Sequence, residues 1–253
     1  MAMTVRSRRW DVRFDEGRSP RARIGFVLIP NEQTIEEDMQ RWLPDGVGAH
    51  FSRAMMPREI STASLAELRQ GLAAAAARIL PDDGLDVICL ACTSGTVAVG
   101  EAAAIAELNK GAPKARATTL AGSVRQALHA VGARRIAVAT PYQDELNGEV
   151  GRYLREAGFE IAAIEGLNLK YDTEMIRVAP DFLVEFARAV DTPEADAVLI
   201  SCGALRSIDI VEQAEALIGK PVICSNQAML WNCLRLAGIG DRLNGLGRLL
   251  REH

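Results

Sequence analysis

The sequence predicts an α/β protein of two pseudo-symmetric open lobes, with mostly parallel sheets and an active site in the cleft between them. Three observations lead there. Short apolar runs alternate with helical patterns along the chain. Several of these runs, DVICLA (86–91) and DAVLIS (196–201) among them, are apolar on consecutive residues, as suits strands buried on both faces of a parallel sheet. Three segments also recur in the same order at similar offsets. RIGFVLIP (23–30) resembles RIAVATPY (135–142), VICLACTSG (87–95) resembles VLISCGALR (198–206), and TTLAGSVRQALHAVG (118–132) resembles CSNQAMLWNCLRLAG (224–238). An ancient duplication accounts for all three.

The elements follow in order. Residues 1–22 are basic and lack the apolar core of a secretory signal, so they are expected to form an exposed arm, suited to packing on a partner subunit. Strands are expected at 23–29, 48–53, 85–91, 114–118, 135–139, 159–165, 196–201 and 221–225, each an apolar run between turn signals. Gln33 and Thr34 sit where a first helix would be capped, with Glu36 and Glu37 in its first turn. Further helices are expected at 64–80, 121–131, 147–157, 180–190, 208–218 and 228–237. The first lobe is expected to span 23–118 plus 226–253, and the second 119–225.

Bulk numbers narrow the function. The chain has 253 residues, 49% hydrophobic and 25% charged, with a formal net charge of −4. Bulk charge suggests no polyanion partner, so no nucleic acid is expected. No apolar run approaches the ~18 residues of a membrane span. The five cysteines are odd in number, and most sit in or just after apolar runs, which points to reduced thiols in a cytoplasm. Only three histidines are available for acid–base work.

Open α/β sheets bind ligands beyond the carboxyl ends of their strands. Cys92 and Cys202 both fall there, at equivalent places in the repeat. A free thiol ionises near pH ~8.5, and the start of a helix lowers that value. Cys92-Thr-Ser-Gly and Cys202-Gly-Ala-Leu are both read as such starts. Thr93 and Ser94 add hydroxyl donors, and Gly203 lets a substrate approach the backbone. Two thiols on opposite faces of one carbon permit racemisation without a cofactor. Alternatively, one thiolate adds to a carbon–carbon double bond, and rotation and elimination interconvert cis and trans acids.

The plainer readings are specific. Either cysteine alone could be a small core residue. Cys89 and Cys92 form a C-x-x-C, but Cys89 lies inside a strand and no second pair exists, so no metal is expected. Cys224 and Cys233 read as core thiols. Asn226, just after a strand, is either a helix cap or a site residue.

The motifs IGFVLIPNEQTIE (24–36), ACTSG (91–95), ATPY (139–142) and the long run 201–238 resemble the aspartate/glutamate racemase superfamily, in its maleate cis-trans isomerase and arylmalonate decarboxylase branch. Within it the chain looks most like ectoine-utilisation EutA-type proteins. The resemblance implies Cys92 as nucleophile or base and Cys202 as proton donor. It implies Thr93, Ser94, Tyr142 and Gly203 as holders of a substrate carboxylate. Gln33, with Thr34 beside it, and Thr173 stand near two asparagines of the isomerases and would tune specificity. The expected function is a cofactor-independent isomerase or racemase of a small carboxylate or amino acid, forming a homodimer or homotetramer. Two alternatives are a decarboxylase that uses Cys202 as proton donor, and a non-catalytic protein that binds or senses a small carboxylate.

Overall fold

The computed structural model describes residues 6–56, 67–81 and 84–253; the beginning of the helix expected at 64–80 lies outside them. Among the described residues eight strands form two four-stranded sheets, and every pairing is parallel. The first sheet holds β1 (Ala22–Leu28), β2 (Val47–Arg53), β3 (Val87–Leu90) and β4 (Arg116–Thr119) in the order β2-β1-β3-β4. The second holds β5 (Arg135–Thr140), β6 (Glu160–Gly166), β7 (Ala197–Ile200) and β8 (Val222–Cys224) in the order β6-β5-β7-β8. The two orders are the same once the strands are matched as the sequence repeat matches them. β3 and β7 are interior strands buried at every residue, which is why their sequences are apolar without alternation.

The helices are α1 (Ile35–Trp42), α2 (Arg69–Ala77), α3 (Thr93–Val99), α4 (Glu101–Gly111), α5 (Leu120–Ala130), α6 (Asp144–Glu156), α7 (Asp172–Met175), α8 (Pro180–Val190), α9 (Val211–Ile218), α10 (Ser225–Leu236) and α11 (Gly247–Glu252). The helix expected over 208–218 begins as a 3-10 turn at Ile208–Ile210 before α9. None of the helices among the described residues is long and apolar enough to cross a membrane. Residues 6–18 have no regular structure and expose Trp10, Val12 and Phe14.

One helix pair joins the halves. α5 follows β4 of the first sheet, yet it packs on α10 and also meets β8. α10 follows β8 of the second sheet and meets β3 and β4. Each helix therefore crosses to the opposite sheet. Asn232 on α10 fastens the pair by donating to the hydroxyls of Thr118 and Ser123, both at 3.0 Å. α11 lies on α9, α10 and β8, so the last turn of the chain packs on the second half.

Asn232→Ala removes two buried hydrogen bonds and leaves both hydroxyls short of a donor. It is expected to lower stability by about 1–3 kcal/mol, read as a lower urea midpoint at unchanged m-value.

Candidate active site

Five segments at the carboxyl ends of strands, those after β1, β3, β5, β6 and β7, converge on one small pocket. It is lined by Ile29, Glu32, Ile35, Ala91, Cys92, Thr93, Ser94, Tyr142, Asp172, Cys202, Gly203 and Ala204. The cavity measures about 20 Å³, room for one water molecule.

Cys92 arrives on β3. The Ala91 N–H still bonds to Val27 O at 2.9 Å, and the chain then turns into α3 with Cys92 as its cap. The sulfur accepts the Gly95 N–H at 3.2 Å and lies 3.6 Å from the Ser94 hydroxyl. Glycine is needed at 95, since a Cβ there would stand 3.0 Å from that sulfur and 2.8 Å from Leu68 Cδ2. Cys202 arrives on β7, whose ladder ends with the Ser201 N–H on Ala139 O at 2.8 Å.

The expected helix start at Cys202 is not there. Residues 203–205 bend instead, and helical structure begins only at Ile208. The reason is that side chains have claimed this backbone. The Cys202 N–H donates to Ser225 Oγ at 3.0 Å, Gly203 O accepts from Asn226 at 2.9 Å, and Ala204 O accepts from the Thr34 hydroxyl at 3.1 Å. The Ala204 N–H turns back onto Cys202 Sγ at 3.4 Å.

Tyr142 follows β5 and is 2% exposed. Its N–H donates to Thr140 Oγ1 at 3.1 Å, and its carbonyl accepts from Asn168 N–H at 3.2 Å. Its hydroxyl lies near enough to the Cys202 sulfur for each group to act on the other's ionisation. Asn226 is a bridge inside the structure, since its amide donates both to Asp38 at 2.7 Å and to Gly203 O.

Six of the residues named from sequence thus share the pocket: Cys92, Thr93, Ser94, Tyr142, Cys202 and Gly203. Three do not line it. Gln33 is exposed, and its amide bonds to Asn31 O at 3.4 Å. The Thr34 hydroxyl is spent on Ala204 O, and Thr173 is half-buried beside the cavity. Their neighbours Glu32 and Asp172 are the lining residues, 4% and 5% exposed. Sequence reasoning missed both by one position. The available signal was an acid placed directly before each named residue, in Asn-Glu-Gln-Thr and Tyr-Asp-Thr.

Burial dominates the electrostatics. It pushes the Cys92 thiol up to about 11, against the opposing Gly95 N–H and Ser94 hydroxyl, and the charges of Asp172 and Glu32 push the same way. Burial also raises Cys202 strongly, with Tyr142 opposing and Asp172 adding to the rise. The lowered thiol values expected from helix starts are therefore reversed in the closed pocket, because desolvation outweighs one N–H donor at each sulfur. Glu32 rises to about 7 and Asp172 to about 6, burial being the first cause for both. Outside the pocket, Cys89 and Cys233 are buried against each other, and Cys89 is pushed up by burial. Among the described residues no group of His, Cys, Asp and Glu side chains is placed to hold a metal.

A pair of parallel sheets that presents one cysteine each to a shared pocket is the architecture of the aspartate/glutamate racemase superfamily, in its maleate isomerase and arylmalonate decarboxylase branch. The chain belongs to the arylmalonate decarboxylase family, whose model matches residues 24–250. A maleate isomerase of Nocardia farcinica is 31% identical over 91% of this chain and 96% of its own length. An arylmalonate decarboxylase of Bordetella bronchiseptica is 34% identical over 70% of this chain and 75% of its own. A solved structure of the Nocardia farcinica maleate cis-trans isomerase, a cysteine-to-serine mutant with a covalently bound succinylcysteine intermediate, has a TM-score of 0.83 at 28% identity. The match covers 92% of this chain and 99% of that one.

The raised carboxyls set a pH dependence. Between the ordinary Glu value of 4.5 and about 7, folded Glu32 holds a proton that the unfolded chain has released. Stability therefore falls as pH rises through that window, by about 3 kcal/mol from Glu32 alone. Urea unfolding between pH 4.5 and 7.5 is expected to show this decline, and Glu32→Gln is expected to reduce it, with Asp38 and Asp172, also raised by burial, keeping the remainder.

Proposed function

We propose that this protein is a cofactor-independent isomerase or racemase of a small carboxylate, with Cys92 and Cys202 as its paired acid–base or nucleophilic groups. The observation that carries this is the placement of both sulfurs, from topologically equivalent strand ends, on the wall of one closed pocket. The covalent succinylcysteine in the Nocardia farcinica relative supports a cysteine that bonds carbon.

For a cis-alkene acid the steps run as follows. The Cys92 thiol gives its proton to solvent water as substrate enters, and the resulting thiolate adds to one alkene carbon while the π pair moves to the other, stabilised as an enediolate. The Cys202 thiol delivers a proton to that carbon, which leaves a single bond free to rotate. Cys202 then removes the proton again, the carbon–sulfur bond breaks, and the trans alkene departs with Cys92 again a thiolate. For a saturated acid, Cys92 takes the α-proton on one face and Cys202 returns one on the other, which inverts the centre. In both cases the Tyr142 hydroxyl stabilises the Cys202 thiolate by donating to it. The hydroxyls of Thr93 and Ser94 bind the carboxylate where negative charge grows.

Both thiols are protonated in the closed pocket near neutral pH, so thiolate formation is coupled to substrate entry. The decarboxylase reading keeps Cys202 as proton donor and leaves Cys92 without a task. The Bordetella bronchiseptica relative supports it, but the second pocket thiol favours isomerisation. Five free buried cysteines support a reducing, cytoplasmic setting. A homodimer or homotetramer and an ectoine-utilisation setting belong to the same proposal and rest on the family resemblance.

Proton NMR in deuterium oxide with maleate, aspartate, glutamate and phenylmalonate tests the reading. Loss of an α-proton signal or growth of fumarate is expected. Cys92→Ala and Cys202→Ala are each expected to lower turnover by about 10²–10⁴-fold while near-UV circular dichroism stays native. Wild-type turnover by either variant would sink the two-thiol mechanism, and decarboxylation that survives Cys92→Ala alone would replace it with the decarboxylase. Tyr142→Phe is expected to retain the fold and slow turnover about tenfold or more, with the alkaline limb of the rate profile shifted upward because the Cys202 thiolate loses its donor.

A further inference from the structure

The proposed reaction leaves two side chains of its own pocket unused. Glu32 and Asp172 are each more than nine-tenths buried and line the same cavity as both thiols. Glu32 is half satisfied: its Oε1 accepts the N–H groups of Thr34 and Ile35, at 2.5 and 2.9 Å, which closes the start of α1. Its Oε2 is buried and has no hydrogen-bond partner among the described residues, and the same holds for Asp172 Oδ2. Unpartnered buried carboxylate oxygens are costly, and they persist where a ligand completes them.

The charge balance gives the chemistry of that ligand. Among the described residues the lining contains two carboxyls and no lysine, arginine or histidine. A dicarboxylate would crowd two more carboxyl groups against the two already in the lining, with no cation among the described lining residues to offset them. A group that brings positive charge and N–H donors matches both orphaned oxygens. We propose that the natural substrate is a small carboxylic acid bearing an ammonium group, and that Glu32 and Asp172 together hold that ammonium while the hydroxyls of Thr93 and Ser94 take the carboxylate. This rests on the isomerase reading above and narrows its substrate class.

The placement also links binding to chemistry. The two carboxyls are among the charges that hold the Cys92 thiol in its protonated form, and Asp172 acts on Cys202 as well. An ammonium seated between them cancels that pressure when substrate is present. Glu32 and Asp172 also raise each other's cost of ionisation, since Asp172 lies close enough to act on Glu32. A single cation relieves both.

Calorimetric titration at pH 8, where both carboxyls are ionised, tests the proposal without relying on turnover. Succinate is compared with aspartate, and butyrate with 2-aminobutyrate, 4-aminobutyrate and 2,4-diaminobutyrate. At least one amine-bearing acid is expected to bind tenfold or more tightly than its amine-free counterpart. Glu32→Gln and Asp172→Asn are each expected to weaken that preference, and the double variant to abolish it while amine-free acids bind as well or better. The glutamine retains the acceptor that caps α1, so each single variant reads the effect if the double variant does not fold. Equal binding of the paired acids, a preference that survives in the single variants, or no binding of any amine-bearing acid at 20 mM overturns the proposal. An amine preference without turnover by any bound acid leaves this assignment standing and sinks the isomerase. Turnover of maleate with no amine preference does the reverse.

Discussion

The site depends on one hydroxyl, that of Ser225. It accepts the Cys202 N–H at 3.0 Å and meets the Thr93 hydroxyl at 3.2 Å. One atom therefore fixes the loop that carries each cysteine. Ser225 opens α10, the helix that crosses from the second sheet to the first, so the same residue that enters the crossing helix sets the separation of the two thiols. Its neighbour Asn226 repeats the device one residue on, binding Gly203 O and Asp38 of α1. Thr34 completes it from the other side through Ala204 O. One buried apolar cluster runs through both halves, and at the site this short set of buried polar contacts sets the geometry between them. Such contacts are directional, and they fix a separation that apolar packing alone would leave adjustable.

That arrangement has an electrostatic cost. To face one another across about 20 Å³, two thiols, a phenol and two carboxyls have given up water. Each of them is driven toward its neutral form by burial. Burial therefore favours the neutral form of both thiols in the pocket. Reactivity follows entry, because an entering substrate replaces the missing hydration with its own charges. This is a physical reason for a pocket smaller than any four-carbon acid.

Much of this was legible in the sequence. DVICLA and DAVLIS read as buried parallel strands because their apolar residues run consecutively, and both are interior strands. The repeat matched β1 with β5, β3 with β7 and β4 with β8, and the two strand orders follow that matching. Cys92 and Cys202 were legible because each directly follows such a strand, where a short loop has little freedom to turn elsewhere. Thr93, Ser94 and Gly203 came with them as sequence neighbours. The start of a helix at Cys202 was not legible correctly. Local pattern favoured it, but Ser225, Asn226 and Thr34 claim the backbone groups that helix formation needs, and those three lie far from residue 203 in the chain.

Glu32 and Asp172 were hidden for a related reason. Both lie outside the strands, one in the turn before α1 and one at the first residue of the single-turn helix α7, where no period of two or 3.6 tells inside from outside. In such segments a shift of one residue exchanges an exposed side chain for a buried one, and Gln33 and Glu32 differ in just that way. What decides between them is the bond from Glu32 Oε1 to the Thr34 and Ile35 N–H groups, which turns the acid inward and leaves its second oxygen facing the thiols. The contact that caps α1 therefore also presents a negative charge to the pocket. A fold that needed only the cap would be served by asparagine, serine or threonine. The unpartnered oxygen is surplus to the helix, and its remaining role lies with whatever enters between the two cysteines.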